Sequence, residues 1–409
     1  MTALLALGLA APALLGLSPA RADQPAPIPG GAKCVKGMAD IYPCKDIDLV
    51  SIVGAEVMAS AGIADVQGWV DPETKKEYAV LGSTDGVQFL DVSDPEKPVY
   101  LGSIPVKAPG GVLIWQEIVI LNDTAYIVCD LDPCGLQIFD LTRLRTPLAP
   151  RWTPDVVVPI GAAHSIDGNP DTNHIFINGP GVVVGTPLIF DVSVPLAPSP
   201  VGVIGDDGYT HDSLCPTYHG PDKAHKGHEV CFNFNEDTIT IYDVTNNPMQ
   251  PEQLSRTTYE NANYVHSGAL TKDHTTLIST DEEDEATLGI RSTLYIWDVS
   301  KLDAPKLIDT FVAKSGTIDH NVYSEADALY HSNYVNGFRI LDLKNAHKGK
   351  LKEVAWFDTV PTSDAPDFNG AWAVYPYLPS GNVLVGNMDG GLFIVRPEAS
   401  VFKSLGVKR

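Results

Sequence analysis

A short phrase returns along this chain about every fifty residues, and that beat restricts the fold more than any other property of the sequence. An apolar strand ends in an aromatic residue or leucine, then Asp, then Val or Leu, then a small polar residue. It reads Leu90-Asp91-Val92-Ser93, Phe139-Asp140-Leu141-Thr142, Phe190-Asp191-Val192-Ser193, Tyr242-Asp243-Val244-Thr245, Trp297-Asp298-Val299-Ser300 and Leu341-Asp342-Leu343-Lys344. The aspartates are 49, 51, 52, 55 and 44 residues apart, and a degenerate copy, Leu392-Phe393-Ile394-Val395, ends 53 residues after Asp342. Each unit divides into four short strands. In the first they cover 65–69, 78–82, 87–92 and 99–106, separated by turn residues such as Asp85-Gly86 and Asp94-Pro95. No unit holds a long stretch of period 3.6, so helices should be scarce. Four strands repeated seven times predict an all-β chain, a seven-bladed β-propeller over residues 47–397. The last unit stops after its third strand. The segment 48–53 near the N-terminus resembles a fourth strand, and is expected to complete the last blade and close the ring. Two β-sandwich domains would not produce so even a beat.

Composition fits this reading. The 35 glycines and 32 prolines in 409 residues supply the turns that many short strands need. A formal net charge of −23 argues against nucleic acid or an anionic membrane as partner, because both need a basic face. Residues 1–22 read as an export signal, with an apolar run from Leu4 to Leu17 and a small-x-small cleavage site at Ala20-Arg21-Ala22. No second long apolar run follows, so no integral membrane segment is expected. The six cysteines fall as neighbours, Cys34 with Cys44, Cys129 with Cys134 and Cys215 with Cys231, which suits three disulfides in a secreted or periplasmic protein. The remaining pieces are an N-terminal segment, 23–46, holding one of those disulfides, and a C-terminal tail, 398–409.

The repeat phrases resemble those of choice-of-anchor B proteins, built from LVIVD-type repeats. So do Trp115-Gln116-Glu117-Ile118, Gly208-Tyr209-Thr210-His211-Asp212, Ile318-Asp319-His320-Asn321 and Phe368-Asn369-Gly370-Ala371-Trp372. The resemblance covers nearly everything after Cys34. It implies a propeller exported or held at a surface, and no particular reaction.

A second periodic pattern bears on function. Equivalent positions on the opening strands are Asp65, Gln116, His164, His211, His266, His320 and Trp372, spaced 51, 48, 47, 55, 54 and 52 residues apart. In a propeller the first strand of every blade lines the central channel, so repeat-equivalent residues share height and radius. Four histidines from four consecutive blades should therefore converge, with Gln116 beside them. The best physical reason for gathering four imidazoles is a d-block ion. The ligand set is His164, His211, His266 and His320, with Gln116 or water. With no thiolate at hand, the expected cofactor is one divalent transition metal: iron, manganese, copper or zinc. Histidines that bond only to channel water or backbone are the alternative. The arrangement is similar, in geometry alone, to carotenoid cleavage oxygenases and oligogalacturonate lyases, both on seven-bladed propellers.

Carboxylates near the ring, Glu117, Asp212, Asp319 and Asp281, are the candidate acids, bases or outer partners of the imidazoles. The run Asp281-Glu282-Glu283-Asp284-Glu285 lacks the spacing of a calcium loop and is expected to be solvated. His219, His225 and His228 lie in the loop closed by Cys215 and Cys231, on the face away from the ring. The function expected is a metal-dependent enzyme, an oxygenase or oxidase or a lyase, acting on a small-molecule or extracellular ligand. The other reading is a non-catalytic extracellular binding or adhesion propeller.

Overall fold

A computed structural model of the chain describes residues 31–106, 115–130, 134–146, 151–205 and 207–409. The expected export signal and the first part of the 23–46 segment lie outside the described residues. Seven antiparallel sheets form a seven-bladed β-propeller. Blade one runs Ile63–Val70, Glu77–Ser83, Gly86–Asp91 and Val99–Pro105, within a residue or two of the expected strands. Blade seven takes three strands from the end of the chain and its fourth, Ile47–Val53, from the beginning. That strand pairs antiparallel with Gly391–Pro397, from Ile47 opposite Pro397 to Val53 opposite Leu392. The ring is closed as expected.

The strands differ by position for a simple reason. Second and third strands are covered by neighbouring blades on both faces, so Glu77–Ser83 and Thr124–Cys129 are buried throughout and read as apolar runs rather than alternations. Fourth strands lie at the rim; Lys306–Val312 has no buried residue. First strands pack on one another around the axis, Ile63–Val70 against Gln116–Leu121, and so on through Ser165–Asn169, Asp212–Leu214, Val265–Leu270 and Val322–Glu325. The third and fourth strands slip register at corresponding places in six blades, each bulge adding local twist.

The recurring aspartate has a structural job. In six blades it ends the third strand and accepts the backbone N–H two residues on, as Asp91 does from Ser93 at 3.0 Å and Asp298 from Ser300 at 2.9 Å. This Asx-type turn starts the descent to the fourth strand.

The ends of the chain are tied to the wheel. Met38–Ala39 and Tyr42–Lys45 form a hairpin that extends blade six to six strands, with Cys44 opposite Phe357. The short helix Ala399–Leu405 buries Val401, Phe402 and Leu405 in the adjoining core. All three disulfides join the expected neighbours: Cys34–Cys44, Cys129–Cys134 and Cys215–Cys231. They imply an oxidising, extracellular or periplasmic setting. Among the described residues no helix is long and apolar enough to cross a membrane.

Candidate metal centre

The four histidines come together. His164, His211 and His320 sit just ahead of the ladder of their first strand, each backbone N–H bonded to the second strand of its own blade: to the carbonyls of Asn178, Phe234 and Ser332. His266 lies in a bulge between Val265 and Gly268, where the register slips and the backbone pairing is interrupted. Successive rings touch, with centroids 4.0 Å apart for His164 and His211, 4.4 Å for His211 and His266, and 4.3 Å for His266 and His320. Trp372, the next repeat position, lies edge-on to His320 at 4.9 Å.

Their orientation is the informative part. The Nδ1 atoms of three rings are engaged outward: His164 with Asp130 Oδ1 at 2.9 Å, His211 with the Tyr264 hydroxyl at 3.2 Å, and His320 with the Trp372 carbonyl at 2.6 Å. The Nε2 atoms turn inward. His164 and His211 present theirs to each other at 3.1 Å. Those of His266 and His320 face the carboxylate of Glu282, at 3.5 and 3.3 Å. An imidazole fixed through Nδ1 by a carboxylate, hydroxyl or carbonyl, with Nε2 free, is how metal-ligating histidines are held. Ligand atoms of His211, His266 and Glu282 all lie within 4.8 Å of one another, which makes this group able to hold a metal ion.

The electrostatics suit a cation. Burial, reinforced by the neighbouring imidazoles, drives the pKa values of His211 and His266 well below the usual histidine range. Burial, opposed by the Trp372 carbonyl and aided by His164, takes His320 down to about 3. These rings are therefore neutral, with lone pairs available. Burial would lower His164 as well, but Asp130 outweighs it and raises it. Burial lifts Glu282 to about 7, partly opposed by the Tyr334 hydroxyl that donates to it at 2.5 Å. A positive ion would replace the proton that Glu282 otherwise keeps.

Gln116 occupies its repeat position at the start of Gln116–Leu121, yet its buried side-chain amide has no hydrogen-bond partner among the described residues, the imidazoles included. Asp65 instead fastens blade one to blade two, accepting the N–H of Ile118 at 3.0 Å. Of the acidic candidates, Glu117 follows Gln116 on the first strand of blade two, and burial and then Asp65, Asp212 and Asp130 push its carboxyl well up. Asp212 accepts from Ser213 N–H and the Ser165 hydroxyl. Asp281 is fully engaged, by Tyr259, Asn263 and Tyr264, and Asp319 by the N–H groups of Asp281 and Thr293.

The run from Asp281 to Glu285 departs from expectation. Asp281, Glu282, Asp284 and Glu285 are buried rather than solvated, because the segment folds into the short helix Asp284–Leu288, with the Tyr295 hydroxyl donating to Asp284 at 2.8 Å. Glu282, in an acidic run expected to be solvated, instead lies beside His266 and His320. A signal existed: Asp130 and Glu282 each directly follow the last residue of their second strand, Thr124–Cys129 and Thr276–Asp281, so both are delivered to the same ring.

The mouth beside the imidazoles is aromatic. Trp115 stacks on Trp372 with centroids 4.7 Å apart, and Tyr334 meets Phe368 edge-on at 5.5 Å. Compared with known proteins, the chain matches no family model and no curated protein.

Proposed function

We propose that this chain is an exported propeller of the choice-of-anchor B type whose channel carries a metal-dependent active centre. His164, His211, His266 and His320 would bind one divalent transition metal through Nε2, with Glu282 as the anionic partner. The observation that carries this reading is the shared orientation of the rings, Nδ1 engaged outward in three of them and Nε2 turned inward. Nitrogen donors with one carboxylate and no thiolate suit iron, manganese, copper or zinc. Such an ion supplies Lewis acidity, and with a redox metal also dioxygen chemistry.

The chain's own residues supply the rest. Asp130, Tyr264 and the Trp372 carbonyl fix the rings. Glu117, its carboxyl raised by burial and by the neighbouring Asp65, Asp212 and Asp130, is the candidate acid. Trp115, Trp372 and Phe368 offer flat apolar faces to a substrate. Between the reaction types, an oxidase or oxygenase acting on a small apolar or aromatic molecule is favoured over a lyase acting on a polyanion. The aromatic mouth and the net charge of −23 both oppose the latter.

Elemental analysis of the native, untagged protein tests the proposal. One iron, manganese or copper per chain, with dioxygen uptake on an aromatic or apolar substrate, is the expected result. Metal-free protein that binds its ligand on an outer face would instead make this a binding or adhesion propeller.

A further inference from the structure

On the face away from the channel mouth, blade four departs from its sisters in what its repeat aspartate meets. Asp243 spends Oδ1 on the usual turn, accepting from Thr245 N–H at 3.1 Å. In blade one the second oxygen of the equivalent Asp91 pairs with the Lys76 ammonium at 2.7 Å. In blade four Oδ2 instead receives two imidazoles at once, His225 Nδ1 at 2.8 Å and His228 Nδ1 at 2.6 Å. A lysine neutralises the carboxylate but has no lone pair to give; two imidazoles bring two.

The donors are held in place. Both histidines sit in the loop between Leu214 and Val230 that Cys215–Cys231 closes. The turn His225-Lys226-Gly227-His228 is fixed by His228 N–H on the His225 carbonyl at 3.0 Å and by Tyr218 N–H on the His228 carbonyl at 2.7 Å. Gly227 adopts φ +83°, the left-handed conformation that brings both rings to one side. The potential ligand atoms of His225, His228 and Asp243 lie within 4.8 Å of one another. His219, the third histidine of the loop, goes elsewhere and pairs with His274, ring centroids 5.5 Å apart.

We infer that His225, His228 and Asp243 form a second metal site, independent of the channel centre, for a divalent ion of the zinc or copper class. Two nitrogens and one carboxylate oxygen are a common ligand set for these ions, and three protein ligands leave a position for water or an incoming donor. The ion would tie the disulfide loop to the third strand of blade four. Both rings are partly exposed, their side chains 16% and 31% accessible, so an ion can enter from solvent.

Zinc titration of the full, untagged chain tests this, with bound zinc counted after equilibrium dialysis and thermal unfolding followed with and without zinc. The double variant His225→Ala/His228→Ala should bind one zinc fewer than the parent and lose part of the zinc-dependent rise in melting temperature. His225→Asn/His228→Asn, which keeps polar donors against Asp243, should do the same while preserving the apo melting temperature. A variant with the parent's zinc count and affinity overturns the inference. His211→Ala separates the two sites: it should leave this ion in place, and a parent that binds a single ion lost only in the His225/His228 variants would retain this site and remove the channel one.

Discussion

His164 and His211 meet through their Nε2 atoms at 3.1 Å, although 47 residues separate them in the chain. With His164 Nδ1 committed to Asp130, a proton on one of the two Nε2 atoms or a shared cation must sit between those two nitrogens. If a cation does, His211→Ala removes a central donor. The expected outcome is loss of the bound metal from untagged protein, by more than the ~10–100-fold that loss of an outer partner costs. The circular dichroism spectrum should stay unchanged. Metal content equal to the parent's would sink the channel centre.

The outer partners should behave differently from the ligands. Asp130→Ala and Tyr264→Phe each leave every Nε2 in place but release a ring from its anchor. Each should weaken metal affinity about 10–100-fold without abolishing binding. Chelator competition measures it. Affinities within twofold of the parent's would mean that these contacts do not orient the imidazoles.

Much of this was legible because the propeller is a repeat. Asp91 through Asp342 mark the third strands, and counting from them places His164, His211, His266 and His320 at one radius before any coordinates are drawn. The strand Ile47–Val53 was readable for the same reason, since a missing fourth strand has to come from somewhere. What escaped was set by side-chain direction, which periodicity does not encode. Glu282 and Glu285 belong to one acidic run, and five successive charges look solvated. A short helix and the Tyr259, Tyr295 and Tyr334 hydroxyls bury that run instead. Gln116 shows the converse: the right repeat position, with no bond to the ring.

Stability should depend on pH through Asp167. Burial raises its folded-state pKa to about 7, even though the Cys215 N–H donates to it at 2.7 Å. An unfolded aspartate ionises near pH ~4. Between about pH 4 and 7 the unfolded chain has given up this proton while the folded chain keeps it, so stability falls as pH rises through that window. The loss is on the order of a few kcal/mol, complete above pH 7 and absent below 4. Asp167→Asn keeps a carbonyl oxygen for Cys215 and carries no charge. Denaturant unfolding at a series of pH values should show a flatter dependence for this variant, and identical slopes would refute the assignment.

Closure of the ring by Ile47–Val53 makes the last prediction. This strand pairs along Gly391–Pro397 and buries Leu49, Val50 and Val53 between blades. Burying each such side chain contributes about 1.5–3 kcal/mol, so the strand as a whole matches a large share of the ~5–15 kcal/mol that stabilises a typical domain. Its removal also bares the backbone groups of Gly391–Pro397 as an open edge, free to pair with another chain. A chain beginning at Gly54 should therefore melt far lower than one beginning at Gly31 and should run as aggregate in size-exclusion chromatography. The chain beginning at Gly31 keeps the closing strand and should match the full-length protein. Equal melting temperatures and elution volumes for the two truncations would show that the blade holds without its fourth strand.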